Sequence, residues 1–180
     1  MKEISLNILD VAKNSVRAGA AEILISLNTD SDGILTLKIV DNGCGMDKNT
    51  LEHVTDPFYT TRTTRKVGLG LPLLKLAAEQ TGGTLTLSSS TEEGKSGTEL
   101  VASFDTKSID CMPMGDIVST VCILIAGSPD SDFEFYDITP QRSVSLKTAE
   151  LREVLGDISL AEPEIQSWIS EYLEEQYTKN

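Results

Sequence analysis

The chain has 180 residues, 39% of them hydrophobic, enough to bury one core or one domain with a smaller companion without disulfides or metal ions. No apolar run reaches the roughly 18 residues that span a bilayer, and the chain opens on an amphipathic pattern with no signal-peptide core, so we expect a cytoplasmic protein. A net charge of −13 argues against nucleic acid and anionic membrane as partners.

The first predicted element is a helix over residues 4–17, where apolar side chains recur at helical spacing and Gly19 follows as a stop. Asp10 and Asn14 lie four residues apart and therefore share one face of this helix. An amide oxygen suits Mg²⁺, which makes Asn14 a candidate metal ligand. A carboxylate one turn earlier could accept a proton from water, so Asp10 is a candidate general base; the alternative is an ordinary surface aspartate.

Two strands are predicted next, over 22–27 and 34–40, joined by a polar, glycine-containing turn at 28–33. Asp41 follows the second strand directly and is predicted to lie in a loop. An aspartate accepts a hydrogen bond from the exocyclic amino group of adenine, a contact that guanine would refuse. Gly43 and Gly45 leave room for a ring to approach the backbone, although an isolated pair of glycines more often serves a turn.

A short helix is predicted near 47–54, followed by a Thr- and Arg-rich loop from 55 to 67. Gly68-Leu69-Gly70 then opens an apolar helix over 71–80, and strands follow at 84–88 and 99–104. Backbone N–H groups at the start of that helix favour phosphate, and the cations that precede it add full charges. Those cations are Arg62, Arg65 and Lys66.

This order of elements predicts an α/β sandwich with helices on one face of a mixed sheet, in a first domain of residues 1–107. For residues 108–180 we expect a small α/β region with a continuous apolar run at 117–126, a strand at 133–138, and helices at 148–155 and 163–177. Residues 1–107 carry 11 basic and 14 acidic side chains, a net charge of −3, whereas 108–180 carry 4 and 14, a net charge of −10. The second region therefore favours protein partners.

The last predicted helix has one apolar stripe, formed by Ile165, Trp168, Ile169, Tyr172 and Leu173. Packing into the core and docking of a partner are both compatible with this stripe and its acidic opposite face. The sequence leaves the two open.

Several motifs carry a resemblance to one superfamily. Leu9–Ala20 (LDVAKNSVRAGA) resembles the N box of the histidine-kinase, gyrase, chaperone and mismatch-repair ATPases, which share the Bergerat fold, and DNGCGM (41–46) resembles their first glycine box. DPFYTTR (56–62), GLGL (68–71) and Gly97-Thr98 resemble the phenylalanine box, the second glycine box and the final Gly-Thr. The match covers about residues 5–105, with every motif in the expected order.

The resemblance implies an α+β two-layer sandwich that binds ATP and Mg²⁺. It implies that Asn14 chelates Mg²⁺, Asp41 hydrogen-bonds adenine and Thr98 supports that contact, while Phe58 and the loop to Val67 form a lid. The implied nucleotide-binding set is Asn14, Asp41, Gly43, Gly45, Met46, Phe58, Arg62, Lys66, Gly68, Leu69, Gly70, Leu71 and Thr98.

Two departures from the family pattern matter. The catalytic carboxylate is usually Glu in the hydrolysing branches, whereas Asp10 stands here, one methylene shorter, so we expect slow hydrolysis. The sequence opens close to the N-box helix, so we expect no helical hairpin with a phosphoacceptor histidine, and we expect a structural or surface role for His53. The lid motif is closest to nitrogen-regulator sensor kinases, and the RAGA that follows Asn14 is closer to mismatch-repair and anti-sigma-factor proteins.

Three functions stay open. The first is a stand-alone kinase-like or ATPase protein that acts in trans on a protein partner in bacterial regulation. The second is a non-catalytic ATP-sensing module of a larger complex, since stand-alone proteins of this type sometimes accompany redox enzymes such as iron-only hydrogenases. The third is a degenerate pseudo-ATPase.

The three cysteines, Cys44, Cys111 and Cys122, are widely spaced and lack a CxxC pair, which predicts reduced thiols and neither a disulfide framework nor a zinc site. Cys44 lies within the first glycine loop. It is either a small spacer residue or a redox switch that blocks ATP when oxidised.

Overall fold

The computed structural model describes residues 3–56 and 70–179. Within these ranges the helices are α1 (Ile4–Arg17), α2 (Lys48–His53), α3 (Gly70–Gln80), α4 (Ile117–Gly127), α5 (Thr148–Leu155) and α6 (Pro163–Thr178). The strands are β1 (Glu22–Thr29), β2 (Ile34–Asp41), β3 (Leu85–Ser90), β4 (Gly97–Asp105), β5 (Asp132–Ile138) and β6 (Ser143–Lys147).

The six strands form one mixed sheet in the order β3-β4-β2-β1-β5-β6. Neighbouring strands are antiparallel except β1 and β5, which are parallel. Side chains alternate between a buried and a more exposed face along β1, β2, β4 and β5. The predicted α+β sandwich, with helices on one face of a mixed sheet, is confirmed.

Strand register places the buried side chains in rows across the sheet. One row runs from Leu37 on β2 to Leu27 on β1 and Ala102 on β4, and all three side chains are fully buried. Helices α1, α3 and α4 contribute the facing core residues, among them Ile8, Leu74 and Leu124. Burial of apolar side chains of this size stabilises the fold by about 1.5–3 kcal/mol each.

Residues 108–179 extend this sheet. β5 pairs with β1, so Phe135 lies beside Ile25, and α4 packs between α1 and α6. The hydrophobic core is therefore continuous across the predicted boundary after residue 107. The division into 1–107 and 108–180 stays a prediction.

A buried polar cluster closes the end of this second region. Asp137, on β5, is 4% exposed and accepts hydrogen bonds from Arg142 Nη2 at 3.0 Å and Tyr177 Oη at 2.7 Å. The Arg142 guanidinium lies 4.5 Å above the Tyr177 ring. Burial, with the Asp137 carboxylate beside it, raises the pKa of Tyr177, so this phenol remains a donor. The cluster ties the end of α6 to β5.

The predicted elements are found with ends that differ by a few residues, and the apolar run at 117–126 is helix α4. Strand β6 was missed. Among the described residues, no helix combines the length and apolar character that a membrane span requires.

Candidate functional site

A cavity of about 320 Å³ lies between α1, the ends of β2 and β4, and the start of α3. Its lining combines apolar walls with carboxylate, amide and hydroxyl groups. The lining residues are Asp10, Val11, Asn14, Ser15, Arg17, Ala18, Ile39, Asp41, Gly45, Met46, Thr50, Val54, Gly70, Leu71, Leu87, Thr98 and Leu100. An apolar pocket with a few convergent polar groups is the usual form of a small-molecule site.

The polar floor of the cavity is one row across three strands. Asp41 on β2 pairs with Thr98 on β4, which pairs with Ser89 on β3. The next row on the same face, two residues away on each strand, is apolar and includes the pair Ile39 and Leu100. Because side chains two residues apart share a face, the polar row points into the helix-covered side of the sheet.

Both oxygens of the Asp41 carboxylate are engaged. Oδ2 accepts from the Ser15 hydroxyl at 2.6 Å, and Oδ1 accepts from the Gly43 backbone N–H at 3.0 Å. A carboxylate offers about four acceptor positions, so two donors leave capacity for a ligand N–H. Ser15 is only 4% exposed and orients the group from α1.

Ser89 organises the neighbouring loop. Its Oγ accepts from the Met46 backbone N–H, donates to the Gly97 carbonyl and lies beside Thr98 Oγ1, each at 2.8 Å. The loop after β2 is thereby fixed to β3 and β4.

Position 45 requires glycine because the loop after β2 approaches the backbone of Ser90 at the end of β3. The φ of Gly45 is +71°, a left-handed conformation that other residues seldom adopt, and a Cβ at this position would overlap the Ser90 carbonyl. The close approach of the loop to the sheet leaves space on the cavity side.

A second side of the cavity is formed by one face of α1 and by the start of α3. Asn14 Oδ1 accepts from Arg17 Nη1 at 3.0 Å. Asp10 lies against Gly70, where a Cβ would overlap the Asp10 Oδ2 atom. The missing side chain at residue 70 thus lets the carboxylate approach the N-terminal end of a helix, where negative charge is favoured.

The oxygen atoms at the cavity suit a Mg²⁺ ion coordinated jointly by the protein and a nucleotide better than one coordinated by the protein alone. Asn14 and Asp10 both supply oxygen atoms to the cavity, and oxygen ligands are what Mg²⁺ prefers. The described ranges contain no group of three or more His, Cys, Asp and Glu side chains that could hold a metal ion. A Mg²⁺ ion here would therefore need oxygen atoms from a nucleotide to complete its shell.

Most predicted site residues in the described ranges line this cavity: Asp10, Asn14, Asp41, Gly45, Met46, Gly70, Leu71 and Thr98. Gly43 is buried beside it against Ala18 and donates to Asp41. Phe58, Arg62, Lys66, Gly68 and Leu69 lie outside the described residues.

Sequence reasoning missed Ser15 and Ser89. A signal existed for Ser15, which follows Asn14 on the predicted helix. Ser89 had none, because its role depends on strand register with Thr98.

The three thiols differ in surroundings. Cys44 is exposed on the first glycine loop, whereas Cys111 and Cys122 are partly buried. Burial raises the pKa of both Cys111 and Cys122. At neutral pH these two are protonated thiols, which are poor nucleophiles.

Comparison with known families gives a match over the first region. The family described as histidine kinase-, DNA gyrase B- and HSP90-like ATPase matches residues 2–108. This match confirms the resemblance that the motifs carry.

Two curated relatives illustrate the range of proteins that share this sequence pattern. A putative sensor protein of Shewanella frigidimarina is 30% identical over 95 residues, which cover 52% of this chain and 14% of that protein. The DNA mismatch repair protein MutL of Lactococcus lactis is 27% identical over 176 residues, which cover 88% of this chain and 24% of that protein. The chain thus spans a quarter or less of the length of these relatives.

Among solved structures, the MutL ATPase domain of Aquifex aeolicus, complexed with ADP, superposes with a TM-score of 0.56 at 13% identity. The superposition covers 86% of this chain and 69% of that one. The likeness concerns the fold, and its extent includes much of residues 108–179.

Proposed function

Because this chain belongs to the family of histidine kinase-, DNA gyrase B- and HSP90-like ATPases, we propose that it binds ATP with Mg²⁺ in the cavity beneath α1 and acts in trans on a protein partner as a kinase-like protein or an ATPase. The observation that carries the proposal is the Asp41 carboxylate. It lies in a cavity whose walls are largely apolar, oriented by Ser15 and Gly43, with acceptor capacity left.

Adenine fits the cavity beside Asp41 by its hydrogen-bonding pattern. Its exocyclic amino group donates to Asp41, while apolar side chains such as Ile39 and Leu100 offer contact for the ring. Guanine presents a carbonyl at the equivalent position, which the carboxylate repels. The site therefore favours ATP over GTP.

The phosphates are assigned to the side formed by α1 and the start of α3. Asn14 supplies an amide oxygen for Mg²⁺, and the N-terminal end of α3 at Gly70 and Leu71 supplies partial positive charge. Bound Mg²⁺ would neutralise phosphate charge and favour transfer of the terminal phosphoryl group. The MutL domain of Aquifex aeolicus, whose structure contains ADP, has the same fold, which supports nucleotide binding by this chain.

Asp10 is the proposed base. Its carboxylate faces the same cavity as Asn14 and can accept a proton from water or from a partner's nucleophilic group. Asp places this carboxylate one methylene short of the Glu found in hydrolysing members, so turnover is expected to be slow. The partner, and a location in the cytoplasm, are part of this proposal.

The test is a turnover assay with labelled ATP, with and without candidate partner proteins, on wild type, Asn14→Ala and Asp10→Asn. Phosphotransfer or hydrolysis that is lost in both variants, with nucleotide binding kept in Asp10→Asn, would support an enzyme. Wild-type turnover no higher than that of Asn14→Ala would contradict an enzymatic function.

The second candidate function is a non-catalytic ATP sensor. It is favoured by Asp10, whose side chain is one methylene shorter than the Glu of hydrolysing members. It predicts binding without turnover and a different partner affinity with ATP than with ADP, because a ligand shifts only a state that it prefers. Equal partner affinities with both nucleotides would refute the sensor.

A further inference from the structure

The outer side of α6 exposes two aromatic rings. Trp168 and Tyr172 are 47% and 39% exposed, whereas their neighbours Ile169 and Leu173 are fully buried. The two rings stack with centroids 5.1 Å apart and planes inclined by 13°. The apolar stripe predicted for this helix therefore divides into a core-packing edge and an exposed aromatic edge.

Carboxylates flank the exposed rings. Glu164 precedes Trp168 by four residues and Glu171 follows it by three, spacings that make side chains neighbours on a helix surface. Both glutamates are exposed. Glu175, three residues after Tyr172, pairs with Lys179 at 3.0 Å. The rings thus lie in a surface of excess negative charge.

The basic side chains of this region are already paired. Residues 108–180 contain only four basic residues, against 14 acidic ones. Each pairs with a carboxylate of the same region: Arg142 with Asp137, Lys147 with Glu150, Arg152 with Asp132, and Lys179 with Glu175. None of these pairs uses Glu164 or Glu171. The negative charge of these two exposed glutamates is therefore not offset by a basic side chain of residues 108–180.

We propose that the surface formed by Glu164, Trp168, Glu171 and Tyr172, named the α6 face, docks an arginine- or lysine-bearing segment of a partner protein. A cation above an indole ring is attracted by the negative face of the ring, and tryptophan is the strongest of the aromatic acceptors. A guanidinium is more weakly hydrated than an ammonium and stacks on flat rings, so arginine fits better than lysine.

Glu164, Trp168, Glu171 and Tyr172 do not belong to the lining of the nucleotide cavity. Helix α6 packs on α4 and β6, while the nucleotide cavity is lined by α1, α3 and the β2–β4 side of the sheet. The α6 face can therefore be disrupted without a change at the cavity, and the two proposals can fail separately.

Trp168 is the single tryptophan of the chain, so its fluorescence reports on the α6 face directly. The experiment titrates the full chain with a short peptide in which arginine alternates with glycine, and with a peptide that has glutamate in place of arginine. We expect a saturable change in fluorescence with the arginine peptide and no change with the glutamate peptide.

Two variants and one matched control locate the site by anisotropy of the labelled arginine peptide. Trp168→Ala is expected to weaken binding roughly two- to fivefold, through loss of the cation–ring contact. Glu164→Gln combined with Glu171→Gln should weaken binding severalfold and reduce its dependence on salt. Asp32→Asn combined with Glu93→Gln removes the same charge from exposed turns and should leave the affinity unchanged.

Equal weakening by the matched control would overturn the proposal, since binding would then reflect net charge alone. So would an absence of arginine-peptide binding, including the case in which sedimentation shows the α6 face buried between copies of this chain. Asp41→Asn is expected to leave peptide affinity intact, so a failure of nucleotide binding would not be mistaken for a failure of docking.

Discussion

Two aspartates on the helix-covered face of the sheet, Asp41 and Asp137, show how differently the two regions use the same residue. Asp137 is 4% exposed, and its Oδ2 is held by Arg142 and Tyr177. Asp41 is held by a hydroxyl and one backbone N–H, and it lines a cavity. The Asp137 carboxylate is committed to partners within the fold, whereas a carboxylate with acceptor capacity in a cavity is suited to a ligand.

The largest expected effect tests whether the two regions fold as one unit. Phe135 is 1% exposed and lies between β1 and β6, so Phe135→Ala should lower the free energy of unfolding by about 3–5 kcal/mol. Because the sheet is continuous, the loss should appear in one unfolding transition. Trp168 fluorescence monitors this transition in the second region, and a bound fluorescent nucleotide analogue monitors it at the cavity. Ile109→Ala, at a site 98% exposed, is the control. Two separate transitions would show that 1–107 and 108–180 unfold independently.

The next effect concerns the ionic cluster. Asp137→Ala removes the carboxylate that pairs with Arg142, and the Arg142 side chain is 29% exposed. The loss should cost roughly 2–3 kcal/mol of stability. Affinity for ATP below the melting temperature should not change. Chemical denaturation and calorimetric titration of the same sample measure both quantities, with the exposed Asp130→Ala as the control. A large loss of ATP affinity would mean that the two aspartates are coupled.

Gly45→Ala should reverse this pattern, with more effect on binding than on stability. The Ala Cβ overlaps the Ser90 carbonyl, so the loop must move away from the sheet, and ATP affinity should fall by more than about tenfold. Gly94→Ala is the matched control, because Gly94 has a φ of +76° with nothing within 4 Å of an added Cβ. If both variants bind ATP alike, the close approach of Gly45 does not shape the site.

The smallest of these effects is expected for Ser15→Ala. Removal of the hydroxyl that orients Asp41 should weaken ATP binding by roughly fivefold, equivalent to about 1 kcal/mol for one hydrogen bond. Ser5→Ala, also a buried serine on α1, should leave binding unchanged. Titration calorimetry distinguishes the two, and an unaltered affinity in Ser15→Ala would remove this residue from the site.

The fold of the first region could be predicted because local signals there agree with one another. Apolar periodicity, strand alternation and turn residues gave α1, β1, β2 and β4 with ends close to those observed. Periodicity could not assign the apolar run that forms α4, since a helix buried on several sides has no polar stripe. Strand β6 has only five residues and depends on pairing with β5.

The residues that line the cavity could be predicted where the side chain, or its absence, suits a nucleotide for a chemical reason that the sequence alone supplies. Asp41, Asn14 and Gly45 are such residues. Ser89 is different, because its contacts with Met46 and Thr98 arise from strand register, which the sequence does not specify. The exposed position of Trp168 was equally invisible, since it depends on how α6 rotates against α4 and β6.

The most direct test of the central claim is a calorimetric titration of wild type and Asp41→Asn with a non-hydrolysable ATP analogue and its GTP counterpart, each with Mg²⁺. We predict saturable binding of the ATP analogue to wild type, little binding of the GTP analogue, and a loss of roughly tenfold or more in Asp41→Asn, the cost of a charged hydrogen bond. Asp32→Asn, the same chemical change on an exposed turn, should bind as wild type does. Equal affinity of wild type and Asp41→Asn, or no binding by wild type, would contradict the account.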